Sequence, residues 1–242
     1  MPTSNTPSFQ LLSLRVGKIQ PFGASRQSSA IAKRPVDQPL TVDGLGLAGD
    51  QHADSVHHGG IDKALHHYPA EHYAAWAAEL PQQAALFVIG GFGENLSTRG
   101  LTEDNVCLGD IFQVGSATLQ VSQGRNPCWK LNHRFGVPDM VRRVQDNGRT
   151  GWYYRVLSAG SIAPEDALKL IERPLPAWTL TRLFSLLHAA QPDRLALDDE
   201  LCVLGAVDRG AHDQLVDLGE GSVDLVDLCL EIVDLLLEHL LG

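Results

Sequence analysis

Between residues 11 and 172 the hydrophobic positions fall in short runs of strand length, punctuated by glycine, proline, asparagine and aspartate. Residues 11–19 and 30–36 alternate or run apolar, and Pro35 and Pro39 exclude a helix across the second run. Residues 106–108, 111–114 and 117–121 read as three strands. The turns between them, Gly109-Asp110 and Gly115-Ser116, suit tight hairpins. Residues 152–157 and 168–171 complete the series. Many short strands at even turn spacing predict a β-barrel or sandwich in place of a parallel α/β sheet.

Two segments switch to a helical period. Residues 69–80 carry Pro69 at the first helical position and Tyr73, Trp76, Ala77 and Leu80 at helical spacing. Residues 138–145 form a shorter amphipathic helix that ends before Asn147-Gly148. After Pro174 and Pro176 the character changes. Residues 179–190 place Leu180, Leu183, Phe184 and Leu187 on one face, a loop follows at 191–193, and the remainder is acidic and rich in leucine. The expected organisation is a mainly β domain over residues 1–174 with a few helices, then a small helical domain over residues 175–242.

Charge sharpens that division. The 242 residues carry a net charge of −10, but residues 1–192 hold 17 Lys/Arg against 16 Asp/Glu, and residues 193–242 hold 2 against 13. A nearly neutral body with an acidic end argues against nucleic acid as a partner. Asp224, Asp227, Glu231, Asp234 and Glu238 form one helical stripe opposite a broad leucine face, and five acids in that stretch argue against a membrane span. The polar N-terminus shows no signal peptide, and four scattered cysteines do not form a disulfide framework. A soluble, cytoplasmic protein with reduced thiols is expected.

Three polar stretches could carry chemistry. In the first, residues 121–132, a strand runs into a Gly-Arg-Asn-Pro turn with Cys128 directly after Pro127. Arg125 and Lys130 are cations close by, and a helix starting at Cys128 would aim free N–H groups at the sulfur; both favour a thiolate able to act as nucleophile or soft-metal ligand. The bland alternative is a buried, inert thiol, the reading given to Cys107, Cys202 and Cys229. In the second stretch, residues 49–67, Gly59-Gly60 lets backbone N–H groups approach an anion that Lys63 could neutralise. His57, His58, His66 and His67 could instead bind zinc, although adjacent histidines on a strand face opposite ways. A solvated hairpin is the plain alternative. In the third, Glu94 and Asn95 follow a Gly-Gly-Phe-Gly turn and either line a pocket or cap the turn. That turn is not G-x-G-x-x-G and gives no dinucleotide signal, and no G-x-S-x-G elbow, P-loop or H-E-x-x-H occurs in the chain.

Taken in order, the runs LGLAGDQHAD, HHGGIDKALHHYPAEHY, FGENLS, GDIFQVGSATLQVSQGRNPCWKLN and GW resemble the MOSC-domain family, in its YiiM-like branch. The resemblance covers about residues 11–190 and implies a β-barrel that binds molybdenum cofactor, followed by a small helical domain. It implies that Cys128 is the catalytic thiolate and ligates molybdenum. His58, Gly59, Gly60, Lys63, Glu94, Asn95, Arg125, Lys130 and Asn132 would bind the cofactor. The implied activity is reduction of N-hydroxylated compounds such as 6-N-hydroxylaminopurine, with electrons from a separate reductase; pyridoxal phosphate is not expected, and a homodimer is left open. The rivals are a non-catalytic carrier of cofactor or sulfur, with a persulfide on Cys128, and a zinc-dependent hydrolase built on the histidines of residues 57–67.

Overall fold

A computed structural model describes residues 7–23, 26–54 and 58–187 of the chain. Seven strands close into a barrel: β1 (Ser8–Val16), β2 (Leu65–His67), β3 (Leu96–Thr98), β4 (Ile111–Val114), β5 (Ala117–Gly124), β6 (Trp152–Ser158) and β7 (Ala167–Glu172). Their order around the barrel is β1-β7-β4-β5-β6-β2-β3 and back to β1. β2 and β3 run parallel, with His67 opposite Leu96, and the remaining neighbours are antiparallel. The closing pair sets Ser8 opposite Lys169 and Gln10 opposite Ala167. The fold is mainly β, as the hydrophobic pattern predicts, and of the barrel and sandwich that the pattern left open it is the barrel implied by the family resemblance.

The β4–β5 hairpin shows why. Val114, Ala117, Leu119 and Val121 are buried in the barrel while Gln113 faces outward, so one face is apolar and the register is fixed. Gly115, at φ +57, makes the turn in a left-handed conformation that suits glycine. A second core lies outside the barrel, under α1 (Glu71–Glu79), α2 (Lys130–Phe135) and α3 (Met140–Asn147). Here Tyr68 stacks on Phe92 at 4.0 Å and Phe87 on Phe135 at 4.6 Å. α3 ends where Gly148 adopts φ +69, two residues beyond the expected stop.

Four expectations change. Residues 106–108 are not a strand: Cys107 makes a single bridge to Thr179, because its N–H is taken by the Asp110 carboxylate at 2.9 Å. Gly109-Asp110 is therefore not a hairpin turn between two strands. Of residues 30–36 just Arg34–Pro35 pairs, against the end of β1. β1 itself stops at Val16, where the Gly17 N–H turns to the Asp50 carboxylate at 2.5 Å.

The described part of the proposed helical domain packs on the barrel. Leu180, in α4 (Leu180–Leu187), joins the barrel's buried cluster, and its N–H donates to the Val106 carbonyl at 2.9 Å. Residues 188–242, with Cys202, Cys229 and the acidic stripe, lie outside the described residues. Among the described residues no helix is long and apolar enough to cross a membrane.

Candidate active site

Where β5 ends at Gly124, the chain turns through Arg125 and Pro127 to the half-buried Cys128 and enters α2 two residues later. The helix thus starts after the cysteine, and the Cys128 carbonyl accepts the Leu131 N–H at 3.0 Å. The helix start expected at Cys128 is therefore displaced to Lys130, and no helix begins at the sulfur. Arg125 is anchored through its N–H to the Gly151 carbonyl at 3.0 Å.

Cys128 opens into a cleft of about 570 Å³. Lys33 and Ile31 reach it from the bend after the Gln27–Ser29 strand, His52 and Asp54 from the loop after Gly49, and His58 and Lys63 from the next turn. His66 on β2 and Tyr153 on β6 face each other across one strand pairing, ring centroids 5.3 Å apart, and complete the floor. Gly93 lines the cleft at φ +78, where a Cβ would lie 2.7 Å from Ile31 Cγ1; glycine lets the two loops approach this closely. The opening continues into an outer chamber that shares Asp54, His58, Cys128 and Lys130 and adds Gln27, Ser28 and Trp129.

The walls are strongly basic but unequally satisfied. Lys33 Nζ sits 2.5 Å from Asp50, whose carboxylate also accepts Asn95 Nδ2 at 2.8 Å. Burial pulls the Lys33 ammonium down from its ordinary range, and the Asp50 charge opposes that. Arg125 is 6 % exposed, and its Nη1 has no hydrogen-bond partner among the described residues. His66 Nε2 is buried and unpartnered as well. Burial holds His66 well below the usual imidazole range, and the Arg125 charge adds to it. His58 is pushed down to about 4 by burial, then by Arg125 and Lys130, with Asp54 opposing. Both of these imidazoles are therefore neutral at pH 7, each offering one donor and one acceptor. A buried guanidinium nitrogen without a partner is rare, and it marks where an anionic group would be held.

The structure gathers His58, Lys63, Asn95, Arg125, Cys128 and Lys130 around this cleft. It places the other expected residues elsewhere. Glu94 is buried beneath it, with Oε1 accepting the Tyr73 hydroxyl and the Gly90 N–H, each at 2.5 Å. Asn132 ties α2 to α3, Nδ2 donating to the Pro138 carbonyl at 2.7 Å and Oδ1 accepting the Val141 N–H at 2.8 Å. Gly59 and Gly60 lie in the turn behind Lys63, where Gly60 adopts φ +100 and its carbonyl accepts the Lys63 N–H at 3.1 Å. Lys33, Asp50, His52 and Tyr153 are cleft or wall residues that the motifs did not single out. Asp50 and His52 stood inside the quoted LGLAGDQHAD run, which was the one signal available.

Of the four histidines of the zinc alternative, the structure separates His67 from His66. His57 lies outside the described residues, and His67 points into the barrel, away from His66. Among the described residues no group of three His, Cys, Asp or Glu side chains is placed to hold a metal ion.

A family model for the MOSC domain matches residues 54–169. The chain is 51 % identical to protein YiiM of Escherichia coli over 157 residues, 65 % of this chain and 70 % of that protein. It is 44 % identical to the uncharacterized protein YflK of Bacillus subtilis over 68 % of this chain and 74 % of that one. A protein of Gibberella moniliformis named reductase is 40 % identical over 74 % of this chain, which spans 32 % of that longer protein. The crystal structure of E. coli YiiM superposes with a TM-score of 0.64 at 39 % identity, covering 76 % of this chain and 84 % of that one. YiiM from Geobacillus stearothermophilus superposes with a TM-score of 0.65 at 30 % identity, covering 94 % of this chain and all of that one. With the barrel, the cysteine-bearing cleft and relatives this similar over two thirds of their length, the chain belongs to the MOSC-domain family.

Proposed function

We propose that this protein reduces N-hydroxylated compounds, 6-N-hydroxylaminopurine among them, with a molybdenum cofactor held in the Cys128 cleft. The observation that carries the reading is the pairing of the Cys128 thiol with the buried, unpartnered Arg125 Nη1 in one cleft. The residues present fit an anionic, sulfur-rich group: Arg125, Lys63 and Lys130 supply cations for a phosphate or dithiolene. The neutral His58 and His66 supply hydrogen-bond groups for a pterin edge, and Cys128 supplies a soft ligand. When bound, the cofactor supplies two-electron redox chemistry at the metal.

The chain's own residues then bind and orient. Asp50 neutralises Lys33 and, through Asn95, fixes one wall of the cleft. Asn95 Oδ1 accepts the His66 N–H at 3.0 Å, which ties the strand carrying His66 to the same wall. Electrons are expected from a separate reductase. Molybdenum and pterin content of the purified protein, followed by turnover of 6-N-hydroxylaminopurine with a reduced viologen dye as donor, tests the reading. Molybdenum-loaded protein that leaves the N–O bond intact would overturn it, and metal-free protein with a persulfide on Cys128 would support a sulfur carrier.

A further inference from the structure

Of the four tryptophans, Trp76 and Trp152 are fully buried and Trp178 is 2 % exposed, whereas Trp129 is 45 % exposed. An indole in water loses the burial that usually holds it in place, so its exposure beside Cys128 calls for a reason. Trp129 is also braced. Phe22, on the small hairpin of Gln20–Phe22 and Gln27–Ser29, meets it at 6.3 Å with the rings tilted by 57°, and packs edge-on to His133 at 5.1 Å. A tilted contact fixes the indole without stacking over it. Lys130 Nζ, drawn to the Ser28 carbonyl at 3.4 Å, ties the same hairpin to the start of α2. The indole forms one side of the outer chamber, and Gln27, Asp54 and His58 line the same space with hydrogen-bonding groups.

We propose that this chamber is the substrate subsite and that Trp129 is its specificity-determining residue. It stacks a planar heteroaromatic ring while the polar side chains meet the ring's edge. The proposal rests on the reductase reading for the identity of the ring's N-hydroxylated substituent. It adds that the protein selects flat aromatic compounds over aliphatic ones. The inner cleft has the buried cation and the outer chamber has the exposed indole, so cofactor and substrate would meet at Cys128 from opposite sides.

Two measurements test it. Acrylamide quenches exposed indoles, so its effect on this protein reports mainly on Trp129. Adenine, a flat ring with no N–O bond, should protect that emission in the protein as purified. In the loaded enzyme, Trp129→Ala should lower kcat/KM for 6-N-hydroxylaminopurine relative to an aliphatic amidoxime by on the order of tenfold, through KM, and Trp129→Phe should recover most of the ratio. Quenching that adenine leaves unchanged, or a substrate ratio that Trp129→Ala leaves unchanged, overturns the proposal. The two readings fail separately. Protection by adenine in a protein without reductase activity sinks the reductase reading alone, and turnover without protection sinks the stacking platform alone.

Discussion

His66 and His67 are consecutive residues of β2, both buried and both neutral, yet they do opposite work. His67 points into the barrel, where Nε2 meets Thr98 Oγ1 at 3.0 Å, Nδ1 meets the Tyr154 hydroxyl at 3.2 Å, and the ring stacks on Trp152 at 4.4 Å. His66 points into the cleft, where Nε2 has no partner and the charge acting most strongly on it is that of Arg125, whose Nη1 is unpartnered too. The two-residue period of a strand separates them. On the barrel side every polar atom of the histidine is matched, which stabilises one structure; on the cleft side unmatched atoms are held ready for something the chain does not itself contain.

The contrast predicts that substitutions on the cleft side change chemistry and those on the barrel side change stability. The largest effect is expected from Cys128→Ser. Turnover of N-hydroxylated substrate should vanish while stability in urea moves by less than about 0.5 kcal/mol, because a hydroxyl is a poor soft-metal ligand and the site is half-open. Next comes His67→Ala, which empties a packed site and strands the Thr98 and Tyr154 hydroxyls. We expect a loss of about 3 kcal/mol in urea unfolding, against little change for His66→Ala.

The third prediction concerns pH. Burial pushes His67 down to about 3, against about 6.5 in an unfolded chain, so the unfolded state binds the proton first as pH falls. Its contribution is fully present above about pH 6.5 and is lost toward pH 3, by up to about 1.4 kcal/mol per pH unit. The stability of His67→Gln should decline less steeply than wild type over that range, and parallel declines would break the contrast. The smallest effect is the most telling. Removing a buried cation whose Nη1 has no partner, in Arg125→Met, should leave the cofactor-free protein as stable as wild type, or more stable by up to about 1 kcal/mol, while pterin retained through purification falls. A destabilised variant with full pterin would mean that Arg125 belongs to the matched side.

What was legible in the residues follows the same line. The β4–β5 hairpin announces itself through alternation and a Gly-Ser turn, and α1 through its helical spacing. β2 and β3 do not. Each is three residues long and buried throughout, with His67 and Thr98 pointing into the barrel and His66 and Ser97 buried on the opposite face, so neither alternation nor an apolar run marks them. In the site, Arg125, Cys128 and Lys130 are adjacent and could be seen together in sequence. Lys33, Asp50 and Tyr153 converge from distant segments through the closure of the barrel, and sequence spacing carries no trace of that. Glu94 and Asn132 looked like site residues because they sit in polar motifs, but Glu94 Oε1 is committed to the Tyr73 hydroxyl and the Gly90 N–H, and Asn132 to the Pro138 carbonyl and the Val141 N–H.

The pairing of Ser8 with Lys169 has a consequence for how the protein is made. β1 leaves the ribosome first and its clasp, β7, more than 150 residues later. At about 5–20 residues per second the nascent chain waits on the order of 10–30 s with one flank of β1 unmatched. Such an edge is a template for pairing with other chains, and contacts between distant residues form slowly. During vectorial synthesis the vulnerable species is therefore a half-finished cylinder. A chain interrupted before Ala167 would carry the whole Cys128 cleft sequence and still lack the strand that shuts the barrel.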